Sequence, residues 1–443
     1  MEKINLYEFD KRPYSFPSEN LKISSFKDYL NSIWDNRNRY NQEEKKEEDD
    51  RKSNKNQQFF KFDGHKCIPQ NYVGMVQYEG IRLNIYPKIF KEQPIGTSNI
   101  LPQVFYWLSH SKRIRFPFTQ MPLSHQQIDD WLEAFIYVFA NYTEEILSSQ
   151  PYQTYQEITE ETSFLRGRLA MPEYIRQNLI TGRYQYFQST YEPFIYDNQF
   201  NRIVKYVSNL LLNVSVNPLN QDKLHEILFL LGDVSDIQCT SSHCDFVKLN
   251  PLFQDLQVIL EMCRLFLESS SISQNDETNT NFCLLFPMEV IFEDFIFGFI
   301  EKHFPNRKPF AQSGKYLAKN ENKENVFKLN QDIKLKHPDL IIDTKYKIRG
   351  KPEIVDKKKG INQADMYQML AYSIREGVKN VLLIYPTESH KISGTKDIFT
   401  IENHDGKVII TEIHAIDVNI TGDNNIEIED NLKKELSKVF YDL

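Results

Sequence analysis

Apolar and polar positions alternate along VFKLNQDIKLKHPDLIIDTKYK, Val326 to Lys347, on either side of a polar break. A period of two predicts a β-hairpin. Phe327, Leu329, Ile333 and Leu335 share one face of its first strand, with Asp332 on the other. On the second strand Leu340, Ile342, Thr344 and Tyr346 alternate with Asp343, Lys345 and Lys347. Lys336, His337, Pro338 and Asp339 suit a four-residue turn. That turn pairs Leu335 with Leu340 and sets Asp332 opposite Asp343.

The same reading organises the rest of the chain. NYVGMVQYEGIRLNIYPKIF, Asn71 to Phe90, predicts a second hairpin turning at Glu79-Gly80. Helical spacing runs from Ile100 to about Ser149, from about Asn198 to Leu230 and from Asn250 to Glu268. Asn41 to Gln58 holds no apolar residue and reads as a solvated insertion. Ser269 to Thr280 is a polar linker. Beyond it come a helix in PMEVIFEDFIFGFIEKHF with Phe292, Phe295 and Phe299 on its buried side, then the first hairpin. A helix from Gln363 to about Glu376 follows, then strands at Val381 to Tyr385, Ile398 to Glu402 and Lys407 to Ala415, and a helix from Leu432. This order predicts an α/β fold, α+β in its N-terminal part, whose last third is a mixed sheet flanked by helices. Three regions are expected: residues 1–190, a helical connection over 191–280, and 281–443.

The chemistry concentrates on the first hairpin. Carboxylates directly opposite one another, roughly 5 Å apart, repel unless a cation lies between them. A hard divalent ion such as Mg²⁺ is the natural occupant, and Lys345 beside the pair suits a metal-dependent nuclease. Asp339, in a conspicuous Pro-Asp pair, lies four residues from Asp343, some ~13 Å along a strand. One Mg²⁺ with ligands at about 2.1 Å cannot span that gap, so Asp339 is a turn residue. The bland alternative is an amphipathic hairpin with solvated charges. Glu289 and Glu293 share a face of the preceding helix. Gln368 and Tyr372 lie one turn apart on the following one, with Asp365 on the same side.

Composition narrows the setting. The 443 residues are 40% hydrophobic and 13% aromatic, enough for real cores. No apolar run approaches the ~18 residues that span a membrane, and MEKINLYEFDKRPYSF lacks a signal-peptide core. Five scattered cysteines argue against a disulfide framework and for a reducing cytoplasm. Cys239, His243 and Cys244 invite a zinc reading, but no second ligand pair follows. A net charge of −8 excludes binding nucleic acid by bulk electrostatics. A local basic patch remains in Lys345, Lys347, Arg349, Lys351, Lys357, Lys358 and Lys359. No Walker-type glycine loop is present, so the chain is not expected to hydrolyse GTP or ATP.

DTKYK at Asp343 to Lys347, DMYQMLAY at Asp365 to Tyr372 and LLIYP at Leu382 to Pro386 resemble the McrC family, the nuclease subunit of McrBC modification-dependent restriction systems. YVGMVQYEGIRLNIYPKI, LRGRL, DNQFNRIVKYV and FPMEVIFEDFI resemble its other motifs in order, so the likeness spans nearly the whole chain. Gln331-Asp332 stands where the family usually has Pro-Asp. The resemblance implies a C-terminal PD-(D/E)xK restriction-endonuclease-like fold. Asp332, Asp343 and the Thr344 carbonyl would bind Mg²⁺, with Glu293 adding a ligand through water and Glu289 its weaker rival. Lys345 would position or activate the attacking water and steady charge on the phosphate. Gln368 would orient that lysine or a phosphate, and Tyr372 would pack beside the site or contact DNA. Lys347, Arg349, Lys351, Lys357, Lys358 and Lys359 would contact DNA. The implied partner is a McrB-type AAA+ GTPase that recognises modified DNA. The N-terminal half, with Tyr72, Gly74, Tyr78, Arg82, Tyr86 and Lys88, would dock on it and stimulate its GTPase. Two other readings are a stand-alone RecB-like repair nuclease and a non-catalytic activator of an AAA+ ring.

Overall fold

Both hairpins form, each about the turn expected of it. In the computed structural model Tyr72–Tyr78 pairs antiparallel with Ile81–Tyr86, and Glu79 and Gly80 turn between them at φ 45° and 82°. Ile333–Leu335 pairs antiparallel with Leu340–Thr344, Leu335 opposite Leu340 as the four-residue turn requires. The structure describes residues 2–10, 14–15, 23–36, 57–64, 66–91, 99–111, 113, 130–249, 251, 253–272, 280–311, 315–349, 356–387, 396–402 and 408–442. The expected insertion at 41–58, save Gln57 and Gln58, lies outside them, as do Lys351 and residues 273–279 of the linker.

The chain divides into two compact units, residues 1–134 with 269–443, and residues 135–268. This differs from the expected regions 1–190, 191–280 and 281–443. The reason is a long-range pairing: Thr280–Pro287 pairs antiparallel with Tyr72–Tyr78 and ties the C-terminal part to the N-terminal sheet. Among the described residues that sheet runs Glu2–Tyr7, Ile81–Tyr86, Tyr72–Tyr78, Thr280–Pro287, Ser270–Ile272.

The Tyr72–Tyr86 hairpin is therefore central, not an edge. Gly74, Tyr78, Arg82 and Tyr86 are buried, and Arg82 is ion-paired with buried Asp130 at 2.7 Å. They cannot form the exposed partner surface expected of them, because alternation marks a face without saying what covers it. Gly74 takes φ 129°, and a Cβ there would meet the Leu284 carbonyl oxygen at 1.9 Å. Gly74→Ala should lower stability by about 3 kcal/mol or more, read by urea denaturation. An unchanged midpoint would disprove that close approach.

The second sheet of this unit is mixed. Its order is Phe310–Ala311, Ile333–Leu335, Leu340–Thr344, Asn380–Pro386, Ile409–Val418, Lys396–Glu402. Leu340–Thr344, Asn380–Pro386 and Ile409–Val418 run parallel, and the outer pairings are antiparallel. Ile341, Val381, Leu383, Ile413 and Ala415 form a core with Met369 and Tyr372 of the helix Gln363–Glu376. Each such buried aliphatic side chain contributes about 1.5–3 kcal/mol. Asn362 caps that helix through the Ala364 amide, and Gly377 ends it at φ 70°. Phe292, Phe295 and Phe299 of Met288–His303 are buried, as expected.

The first strand of the hairpin is shorter than its alternation predicts. Asn325–Leu329 belongs instead to a separate ribbon with Lys315–Lys319. Phe327 consequently leaves the core face and is 72% exposed. The chain changes sheets at Asn330 to Asp332, which places Asp332 at a strand entrance.

In residues 135–268, Gln199–Val214 and Pro218–Leu230 start at the side-chain caps Asn198 and Asn217. A small sheet of Ile158–Thr162, Phe187–Tyr191 and Arg168–Leu169 buries polar side chains. Asn178, Gln188 and Ser189 are buried in it, and Gln188 donates to Asn178 at 3.0 Å. Phe164, Leu165, Met171, Ile180 and Tyr184 face outward. His243 Nδ1 accepts the Thr240 amide at 2.9 Å, and burial pushes the Cys239 and Cys244 thiols up to about 11. The zinc reading gains nothing here: these residues cap and fill the fold.

Candidate active site

The hairpin register delivers two carboxylates to one end of the mixed sheet. Asp332 Oδ2 accepts the Thr344 amide at 2.7 Å and the Thr344 hydroxyl at 2.8 Å. Asp343 is 1% exposed. Its Oδ2 lies 2.6 Å from Lys345 Nζ, an ion pair by distance whose direction makes no aligned hydrogen bond, and Oδ1 has no donor among the described residues. Burial, and then the charge of Asp332, push Asp343 up to about 8. Burial likewise raises Asp332 against the opposing pull of Thr344 and Lys345. Burial opposes the charge on Lys345, but Asp343, Asp332 and Asp365 together outweigh it and raise the ammonium above its ordinary value.

The helix Gln363–Glu376 ties these groups together. Lys345 Nζ donates to Gln368 Oε1 at 3.3 Å, and Gln368 Nε2 donates to the Tyr372 hydroxyl at 2.6 Å. That hydroxyl donates to the Asn330 carbonyl at 2.5 Å. One helical turn thus links the lysine to the segment that presents Asp332. Tyr372 is buried, so it packs beside the site and does not reach DNA.

From the helix Met288–His303, Glu293 approaches the pair. Burial and then the charge of Asp332 push it up to about 7. Arg113 Nη2 binds Glu293 Oε1 at 2.5 Å, and its Nε lies 3.2 Å from Asp294 Oδ1. Glu289 instead exerts its charge on Glu8 and Lys88. No periodicity pointed to Arg113. Asp339 lies in the exposed turn, 3.6 Å from Lys334.

The expected basic patch splits. Lys347 pairs with Asp365 at 3.2 Å, and Lys357, Lys358 and Lys359 are exposed on a turn held by Asp356. Arg349 is only 9% exposed and ion-paired with Asp397 at 2.9 Å and Asp417 at 2.6 Å. Its guanidinium is committed inside the fold, which corrects its placement among DNA contacts.

Among the described residues no three His, Cys, Asp or Glu side chains are grouped to hold a metal alone. Asp332 and Asp343 nevertheless fit a hard divalent ion. They are oxygen donors, mutually repelling, and Asp343 has an orphaned buried oxygen. Mg²⁺ keeps several waters and asks for only one or two carboxylates. No helix among the described residues is long and apolar enough to cross a membrane.

A family model described as McrBC 5-methylcytosine restriction system component matches residues 68–386. No curated protein matches. Among solved structures, a chain of the refined half-complex from the tetradecameric assembly of Thermococcus gammatolerans McrB AAA+ hexamers with bound McrC aligns at TM-score 0.72. It is 18% identical, over 99% of this chain and 100% of that one. A chain of the cryo-EM structure of the T. gammatolerans McrBC complex aligns at TM-score 0.52 and 20% identity, over 68% of this chain and 88% of that one. At these identities the likeness is one of fold.

Proposed function

The chain belongs to the McrBC 5-methylcytosine restriction system component family, and on that premise we propose that it is the Mg²⁺-dependent DNA-cutting subunit working with a McrB-type AAA+ GTPase. The observation that carries this reading is the Asp332/Asp343 pair with Lys345 ion-paired to Asp343 at 2.6 Å. Asp332, Asp343 and the Thr344 carbonyl would hold the ion, with Glu293 acting through water. Bound there, it supplies Lewis acidity at the scissile phosphate and acidity to water.

The chain's own groups do the rest. Thr344 fixes the Asp332 carboxylate through two hydrogen bonds. Lys345, whose ammonium the neighbouring carboxylates favour in the metal-free fold, would position or activate the attacking water and steady charge on the phosphate. Gln368 sets the direction of that ammonium. Hydrolysis by water breaks one P–O ester bond and leaves no covalent enzyme intermediate. Lys347, Lys357, Lys358 and Lys359 are the cations left to steer the DNA backbone. With a net charge of −8, the partner carries most of the grip on DNA.

The partner surface moves from the buried hairpin to the exposed apolar side chains within residues 158–191. Phe164, Leu165, Met171, Ile180 and Tyr184 are large apolar side chains left exposed there, and exposed apolar surface is where proteins meet partners. In the solved relatives McrC is bound to McrB AAA+ hexamers, and the same class of partner fits here. The test mixes the chain with its McrB-type partner, GTP, Mg²⁺ and methylated DNA. Cleavage is expected, and Asp343→Ala should remove it. Persisting cleavage by that variant would sink the reading, and GTPase-independent cleavage would favour a stand-alone nuclease.

A further inference from the structure

Lys345 lies one residue beyond the end of its strand, in a segment with no regular secondary structure. Its own amide is held by the Ile384 carbonyl at 2.9 Å, and the Lys347 amide turns back to the Lys345 carbonyl at 2.7 Å. Between them Tyr346 is buried, and a buried carbonyl needs a donor. That donor comes from the other sheet: Lys88 Nζ reaches the Tyr346 carbonyl at 3.0 Å and sits 4.2 Å from the Tyr346 ring centroid.

Lys88 is itself held in place. Its amide donates to Glu8 Oε2 at 3.0 Å, and the Tyr346 hydroxyl donates to the same oxygen at 3.0 Å. Phe9, at φ 51°, brings its ring 5.1 Å from the Lys88 ammonium. On the far side the Tyr346 ring meets Phe292 at 5.9 Å, one residue before Glu293. Glu8 and Lys88 lie just beyond the ends of the strands Glu2–Tyr7 and Ile81–Tyr86, which pair in parallel. The Glu8 amide closes that end on the Tyr86 carbonyl at 3.0 Å.

We propose that Lys88, set by Glu8, is a positioning residue for the candidate nuclease site: by holding the Tyr346 carbonyl it fixes the irregular segment that presents Lys345. The proposal rests on the nuclease reading above. It also reassigns Lys88, which does not serve as a docking contact. A lysine suits the task because its long stem crosses from one sheet to the other and its ammonium satisfies a carbonyl while packing on aromatic faces. Misplacing a reacting group by about 1 Å costs about 100-fold in rate.

The experiment uses the full chain with its AAA+ partner and compares Lys88→Met, Lys88→Arg and Tyr346→Phe. Lys88→Met should lower kcat for DNA cleavage by about 10- to 100-fold while leaving KM for DNA and the Mg²⁺ half-saturation unchanged. Lys88→Arg, which can still donate to the carbonyl, should recover much of the rate. Tyr346→Phe keeps the carbonyl and should cost less than Lys88→Met. Wild-type kcat in Lys88→Met, or a loss confined to KM, overturns the proposal. Hydrogen exchange of residues 345–349 is read in parallel. Lys88→Met should accelerate it several-fold with the melting temperature retained, and unchanged exchange overturns the strut. If the wild-type chain cuts no DNA, the nuclease reading fails, and the exchange result alone decides whether Lys88 holds this segment.

Discussion

Asp343→Asn should abolish DNA cleavage, by about 1,000-fold or more, and yet raise the melting temperature of the metal-free protein at pH 8. Both effects come from one buried carboxylate. In the metal-free fold Asp343 titrates at about 8 and Glu293 at about 7, whereas unfolded carboxyls ionise near about 4. Between those limits the folded chain binds more protons than the unfolded one, so its stability falls as pH rises. This contribution is fully present below pH ~4 and is lost as pH climbs through the folded values. Asparagine cannot ionise, so the variant loses Asp343's share of that slope. Mg²⁺ acts in the opposite sense on the wild type, binding the ionised carboxylates and stabilising more as pH rises. Scanning fluorimetry in EDTA and in Mg²⁺ between pH 5 and 8 reads all three effects. A variant that melts below the wild type at pH 8 in EDTA would contradict the repelling pair.

The second large effect concerns the partner. Phe164→Asp with Tyr184→Asp should weaken association with the AAA+ ring by about 100-fold, the size expected when aromatic anchors are lost. These side chains are 56% and 63% exposed, so the melting temperature should stay within about 2 °C of the wild type. On the proposed reading, GTPase stimulation should fall with association. Tyr86→Ala gives the contrast: its ring is buried beside Trp131 at 5.9–6.2 Å from its neighbours, and its loss acts through unfolding. Normal GTPase stimulation by the double variant would remove residues 158–191 as the docking face.

Part of the site was legible residue by residue. Asp332 opposite Asp343 was the expectation from alternation and a four-residue turn. The observed register ends one residue short of it, at Ile333 opposite Ile342, and Asp332 turns its carboxylate onto Thr344. Gln368 and Tyr372 followed from helical spacing and are linked at 2.6 Å. Arg113 had no such signal, because it reaches Glu293 across 180 residues of chain. Arg349 looked like part of a basic surface, and only Asp397 and Asp417 make it internal.

The chain by itself determined what depends on neighbours in sequence: two hairpins with their registers, a capped helix with Gln368 and Tyr372 on one face, and a pair of acids set against each other. Such features follow from local backbone geometry, whose period is fixed at two or 3.6 residues. Tertiary structure alone decided what covers each face. It buried the Tyr72–Tyr86 hairpin between Glu2–Tyr7 and Thr280–Pro287, and it turned the apolar side chains around Tyr184 outward. It also brought Glu8, 338 residues away, against Tyr346. A periodic pattern specifies a surface, and only long-range pairing chooses its neighbour.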